Sequence, residues 1–175
     1  MLTLLLLRHA KSSWDNWGSS DFDRPLAKRG IKAAPRMGAE IATLGLRPDL
    51  ILCSSAARTR QTLSLVLPEL GEPAPDVVYD EAIYMAEPET LLATIRNIAY
   101  RARPPRRAMI VGHNPGMENL ADMLTGAGDA AGRALMADKF PTCALAVLEF
   151  DTDDWRSVAA GNGTLEHFLT PALLT

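Results

Sequence analysis

Two arginines and two histidines occupy positions from which a folded chain could gather them at one rim. Arg8-His9 follows the apolar run Leu2 to Leu7. Arg58 closes the stretch Ser54-Ser55-Ala56-Ala57-Arg58, and His113 lies in Gly112-His113-Asn114-Pro115-Gly116. A guanidinium is planar, permanently charged and matched to the oxygens of a phosphate. A neutral imidazole is a nucleophile, and guanidinium groups beside it disfavour its protonated form by like-charge repulsion. One histidine at a strand end is more often a satisfied structural group; four such residues converging point to a phosphate pocket.

Convergence depends on the elements that carry these residues. Leu2 to Leu7 has the continuous apolarity of a strand buried on both faces. After a polar loop, Leu26 to Leu44 carries helical spacing with Gly45 as its stop, and Pro35 inside it predicts a kink or a break into two pieces. A strand over Asp49 to Cys53 leads to a helix over Ala56 to Leu67 capped by Ser54 or Ser55, followed by Pro68, Pro73 and Pro75 as punctuation. A short strand near Val77 to Tyr79 and a helix over Glu89 to Tyr100 come next. Arg107 to Val111 is a strand, and Asn114 with Pro115 starts a helix running to Leu124. Gly126 to Ala134 is expected as a loop, and Cys143 to Phe150 with Trp155 to Ala160 as a hairpin turning through Asp151 to Asp154.

Strands alternating with helices predict an α/β fold: a three-layer α/β/α domain with a largely parallel central sheet and a C-terminal antiparallel hairpin. In such sheets ligands bind beyond the carboxyl ends of the strands, where Arg8, His9, Arg58 and His113 fall. Helix starts after Ser55 and Asn114 would aim unpaired N–H groups and positive dipole ends at the same place.

The chain has 175 residues, 47% of them hydrophobic and 22% charged, which predicts a single folded domain over residues 1–175 and excludes a tandem array or a disordered chain. Its 18 Lys and Arg against 21 Asp and Glu give a net charge of −3, so nucleic acid is not an expected partner and an anion site must be built locally. MLTLLLL lacks a basic stretch before it and is too short for a signal peptide, and no run of about 18 apolar residues occurs. A cytoplasmic protein without membrane attachment is expected.

Taken together, LLLLRHAKS, DFDRPLAKRG, SSAARTRQT and VGHNPG resemble, in order and spacing, the histidine phosphatase superfamily with its phosphoglycerate mutase-like fold, and within it the small phosphohistidine phosphatases of the SixA type. The likeness spans residues 2 to 125. It implies that His9 is the nucleophile that takes up the phosphoryl group and that Arg8, Arg58 and His113 bind its oxygens, with Ser13 as a further lining residue. No metal or other cofactor is implied. Chain length agrees with the SixA type, since the mutases of the superfamily are usually longer.

Expelling an alkoxide from phosphorus needs a general acid, whereas a phosphorylated imidazole leaves with less help. Many family members carry an acidic residue after the third strand; here Glu81 is the first choice, with Asp23, Glu87 and Glu89 as alternatives, although DEAIYMAEPET departs from the usual pattern.

Other signals are weaker. Cys53 and Arg58 are separated by four residues without glycine, where a cysteine-dependent phosphatase needs five, so Cys53 is expected to be buried in its strand. Asp151-Thr152-Asp153 imitates a phosphatase nucleophile motif but lies too near the C-terminus, and a turn is the better reading. His167 has no ligand partner at metal spacing. Trp14 and Trp17 could wall a substrate or anchor the loop after His9. Arg96, Arg101, Arg103, Arg106 and Arg107 are expected as a solvated face. The expected function is therefore a metal-independent phosphatase acting on phosphohistidine in a protein. A phosphatase for a small phosphorylated metabolite and an inactive phospho-ligand binding module are the alternatives.

Overall fold

The computed structural model describes residues 1–15, 18 and 20–174. Its strands are β1 (Leu2–Arg8), β2 (Leu50–Ser54), β3 (Asp76–Asp80), β4 (Arg107–Gly112), β5 (Thr125–Gly128), β6 (Leu145–Phe150) and β7 (Gly163–Leu169). The helices are α1 (Lys28–Thr43), α2 (Ala57–Leu70), α3 (Pro88–Asn97), α4 (Gly116–Leu124) and α5 (Ala130–Asp138). The strands form one sheet in the order β3-β2-β4-β1-β6-β7-β5. β1 to β4 pair in parallel, and β6 runs antiparallel to both β1 and β7.

Alternation along β1 explains the layers. Leu5 and Leu7 face one way, into a core with Ala34, Met37 and Ile41 of α1 and Leu63, Val66 and Leu70 of α2. Leu4 and Leu6 face the other way, against Leu91 and Ile95 of α3, Leu120 and Leu124 of α4 and Met136 of α5. With side chains on both faces shielded, a strand has no polar face to present, so β1 is apolar without interruption. This is the expected α/β/α arrangement around a largely parallel sheet, in which β6 runs against its neighbours β1 and β7. No helix among the described residues is long and apolar enough to cross a membrane.

Several expected boundaries are corrected. α1 is one helix through Pro35, since Gly30, Ala34, Met37, Gly38 and Ile41 form a continuous buried stripe whose packing outweighs the loss of one backbone bond. Pro68 likewise lies inside α2. Gly126 to Ala134 is not a loop: it supplies the edge strand β5 and the start of α5, capped by the Asp129 carboxylate accepting from the Gly132 N–H at 2.8 Å. The partner of β6 is Gly163–Leu169 rather than Trp155 to Ala160. Trp155 is buried, its Nε1 donates to the Pro105 carbonyl at 2.7 Å, and the surrounding Trp155–Ser157 is a short 3-10 turn. Asp153 sits in the turn before it and accepts from the N-terminal ammonium and from Arg106. This turn lies by the end of β1 opposite His9, because Leu2 pairs with Phe150 and Leu7 with Leu145. Arg96 and Arg107 donate to carbonyls of their own chain, at Val158 and at Gly45 and Arg47.

Candidate active site

Arg8 ends β1 and His9 follows it, clamped on two sides by backbone: its N–H donates to the Gly112 carbonyl at 3.1 Å, and its carbonyl accepts from the Cys143 N–H at 2.9 Å. Register brings Arg8 opposite Gly112, so His113 emerges beside His9. Their rings lie 5.4 Å apart between centroids. β2 ends at Ser54, α2 starts at Ala57, and Arg58 in its first turn is buried at the same rim. The four residues singled out by spacing are thus brought together.

Hydrogen bonds fix the ring chemistry. Nδ1 of His9 lies 2.7 Å from the carbonyl oxygen of Ala10. A carbonyl only accepts, so Nδ1 carries the proton and the lone pair of the neutral ring resides on Nε2. Nε2 of His113 lies 2.7 Å from the hydroxyl of Ser54, while its Nδ1 is buried without a partner among the described residues. The Nε atoms of Arg8 and Arg58 are also buried and unpartnered among the described residues. Buried polar nitrogens usually have partners; these three belong to the residues gathered with His9 at the strand ends, a donor set suited to an oxyanion.

Burial is the largest cause that holds both imidazoles neutral. It takes His9 down to about 4, with repulsion from Arg58 and Arg8 adding to it and the Ala10 bond opposing. His113 falls to about 3 through burial, then repulsion from Arg58 and from His9. Repulsion from the arginines, the cause expected from spacing, is real but secondary.

Close backbone contacts set the loops. The N–H of Ala10 donates to Oγ1 of Thr62 at 2.9 Å, and that hydroxyl donates to the Arg58 carbonyl at 2.7 Å, tying the segment after His9 to α2. A Cβ on Gly30 would meet the Lys11 carbonyl oxygen at 2.3 Å, and one on Gly116 would meet the Ala86 oxygen at 2.0 Å. Only glycine permits these approaches, which is why DFDRPLAKRG and VGHNPG end as they do. The N-terminus of α4 is one step later than expected: Pro115 precedes the helix, and Asn114 accepts from the Glu118 N–H through its side chain.

Asp21 is the residue that spacing did not reveal. Its carbonyl accepts from Nη1 of Arg58 at 2.7 Å, and its carboxylate meets Nη2 at 3.0 Å and Arg24 at 3.0 Å. Tyr84 donates to the same carboxylate at 2.5 Å and sets its ring edge-on to His113, 5.3 Å away. The bond from Tyr84 is the largest cause holding Asp21 down at about 2. Only its place in DFDRPLAKRG hinted at it.

Glu81, Asp23, Glu87 and Glu89 are all exposed, and none shares a hydrogen bond or ion pair with Arg8, His9, Arg58 or His113 among the described residues. Glu81 opens the 3-10 turn Glu81–Ile83, directly before Tyr84. Ser13 turns its hydroxyl to its own loop, accepting from the Asp15 N–H at 3.1 Å. Trp14 is 74% exposed with Arg24 stacked on its ring, so it does not reach the core; Trp17 lies outside the described residues. Cys53 is buried, and burial pushes its thiol up to about 12, which leaves no thiolate nucleophile.

A family model for the histidine phosphatase superfamily (branch 1) matches residues 4–83. An uncharacterised protein of Mycobacterium tuberculosis is 36% identical over 167 residues, covering 94% of this chain and 99% of its own length. A crystal structure from Agrobacterium tumefaciens, provisionally assigned as a phosphohistidine phosphatase SixA, is 35% identical and covers 97% of this chain and 98% of its own, with a TM-score of 0.76. The protein histidine phosphatase SixA complexed with tungstate, 20% identical, covers 99% of this chain and all of its own and shares the fold with a TM-score of 0.78.

Proposed function

This chain belongs to the histidine phosphatase superfamily as a phosphatase of the SixA type, and we propose that its substrate is phosphohistidine carried on a protein, hydrolysed without a metal. The observation that carries this reading is the fixed tautomer of His9, with its Nε2 lone pair available inside a cradle of unpartnered donors from Arg8, Arg58 and His113.

In the first step Nε2 of His9 attacks phosphorus, the bond from phosphorus to the substrate nitrogen breaks, and the departing imidazole takes a proton to leave neutral. Arg8 and Arg58 bind the equatorial oxygens, and His113 donates to them from Nδ1, where charge is spread in the transition state. In the second step water attacks phosphorus, the phosphorus to Nε2 bond breaks, and the proton of water passes to solvent as inorganic phosphate departs. The two guanidinium groups supply the positive charge that a metal ion supplies in other phosphoryl-transfer sites. Ser13 is proposed to line the entrance, and Glu81 to protonate the leaving oxygen when the substrate is an ester.

Phosphate release from a phosphohistidine peptide, a phosphoserine peptide and an aryl phosphate tests the reading, with wild type, His9→Ala and a chelator compared. The expected result is chelator-resistant turnover of phosphohistidine and an acid-labile phosphoenzyme, both lost in His9→Ala. Turnover of the aryl ester alone would reassign the substrate to a small phosphorylated metabolite. Phosphate binding without turnover of any substrate would leave a binding module.

A further inference from the structure

Resting on the phosphoprotein reading, we propose that a groove beside the phosphate pocket, between α1 and the segments 141–143 and 170–172, is the docking surface for an acidic segment of the substrate protein. The groove encloses about 470 Å³. One wall is basic: Lys11 from the loop after His9, then Arg29, Lys32 and Arg36 from α1. Spacings of three and four residues set the three helical cations on one face, spanning about 10 Å along the axis. The opposite wall is built of small side chains, mostly apolar: Pro141, Cys143, Pro171 and Ala172, with Thr142 and Thr170 among them.

Among the described residues, the basic wall has no acidic partner. None of its four cations forms an ion pair among the described residues, and the hydrogen bond found for Arg36 is to the carbonyl of Leu174. In a chain of net charge −3, four of the 18 Lys and Arg stand together here. A solvated helix face needs no opposing wall; a basic face set across from an apolar one suits an amphipathic acidic partner.

Position links the groove to catalysis. Lys11 is two residues from His9, and Cys143 in the far wall donates to the His9 carbonyl at 2.9 Å. Leu7 pairs with Leu145 and Leu145 with Leu169, so segments 141–143 and 170–172 flank the end of β1 that carries His9. Arg29 also lines an open cleft of about 580 Å³ with Ser13, Asp15, Pro25 and Lys28, which links the groove to the loop after the nucleophile. A segment seated there would place its phosphohistidine at the rim while its carboxylates meet α1.

The test compares two phosphohistidine peptides of equal length, one flanked by Asp and Glu and one by Ser and Gln, with wild type and Arg29→Glu/Lys32→Glu. For wild type at low salt, kcat/KM for the acidic peptide should exceed that for the neutral one by about tenfold and fall steeply with salt. The double variant should lose that tenfold preference and keep wild-type turnover of the neutral peptide. Equal kcat/KM for both peptides in wild type, or an acidic preference that survives in the variant, would overturn the groove assignment while phosphohistidine turnover stands. An equal loss on both peptides would make these residues structural and overturn it as well. If neither peptide is turned over while an aryl phosphate is, the phosphoprotein reading fails and this proposal falls with it.

Discussion

The carboxylate of Asp21 lies 3.0 Å from Nη2 of Arg58, on the guanidinium proposed to bind the oxygens of the phosphoryl group. Asp21 occupies both Nη atoms of Arg58, so if Arg58 binds phosphate as proposed, Asp21 both positions the arginine and competes with the ligand. The pair is half exposed on the carboxylate side, which limits its worth to less than about 1 kcal/mol. Asp21→Asn should therefore tighten inhibition by inorganic phosphate by about three- to fivefold and lower kcat, as Arg58 loses one anchor and product leaves more slowly. Product-inhibition kinetics on the two enzymes check this. Weaker phosphate binding in the variant would show that Asp21 only orients Arg58.

Thr62 couples two parts of the proposed site through one hydroxyl, accepting from Ala10 and donating to the Arg58 carbonyl. Valine keeps the shape and removes both bonds, leaving a buried N–H without a partner. Thr62→Val should cost about 1–3 kcal/mol in urea unfolding. It should also reduce kcat more than it raises KM, because the loosened segment is the one that aims His9. A serine at the same position, which retains the hydroxyl, should recover most of the turnover.

The two buried imidazoles make stability depend on pH in a defined direction. Their folded values, about 4 for His9 and about 3 for His113, lie below the ordinary 6.5. Between those limits the unfolded chain binds protons that the folded chain does not, so folding is progressively disfavoured as pH falls. The contribution is complete above pH 6.5 and is lost downward through about pH 4 to 3. Urea unfolding should show falling stability from pH 7 to 4.5, with a shallower slope in His113→Asn. Nitrogen chemical shifts of the His9 ring should report a neutral imidazole, protonated at Nδ1, at pH 6; a ring that titrates near 6.5 would contradict the burial described here.

Much of the site was legible because strand ends are easy to read. An apolar run with an abrupt polar stop fixes where β1, β2 and β4 deliver their residues, and Arg8, His9, Arg58 and His113 are those residues. Two kinds of information were hidden. Tertiary packing carried α1 across Pro35, and the burial of Trp155 turned an apparent strand into a 3-10 turn, neither of which follows from local propensity. Asp21 was hidden differently: it reaches Arg58 and Tyr84 across 37 and 63 residues, and three adjacent acidic or aromatic side chains in Asp21-Phe22-Asp23 give no local sign of which one does so.

Glu81 poses the sharpest remaining contrast between the two chemistries open to this site. Its side chain is exposed at the start of the turn that carries Tyr84 to His113, outside the network around Arg58. A phosphoramidate leaves as an imidazole whose proton solvent can supply, whereas an alkoxide needs a positioned acid, a contribution of about 10²–10⁴-fold where it operates. If Glu81 is that acid, Glu81→Gln should lower kcat/KM for an alkyl phosphate by at least tenfold and leave phosphohistidine turnover within twofold. The discriminating measurement is the ratio of the two activities across Glu81→Gln, Glu87→Gln and Glu89→Gln. A ratio unmoved by all three would mean that no carboxylate of this segment serves as the acid, and that slow ester hydrolysis is intrinsic to a site built to expel imidazole.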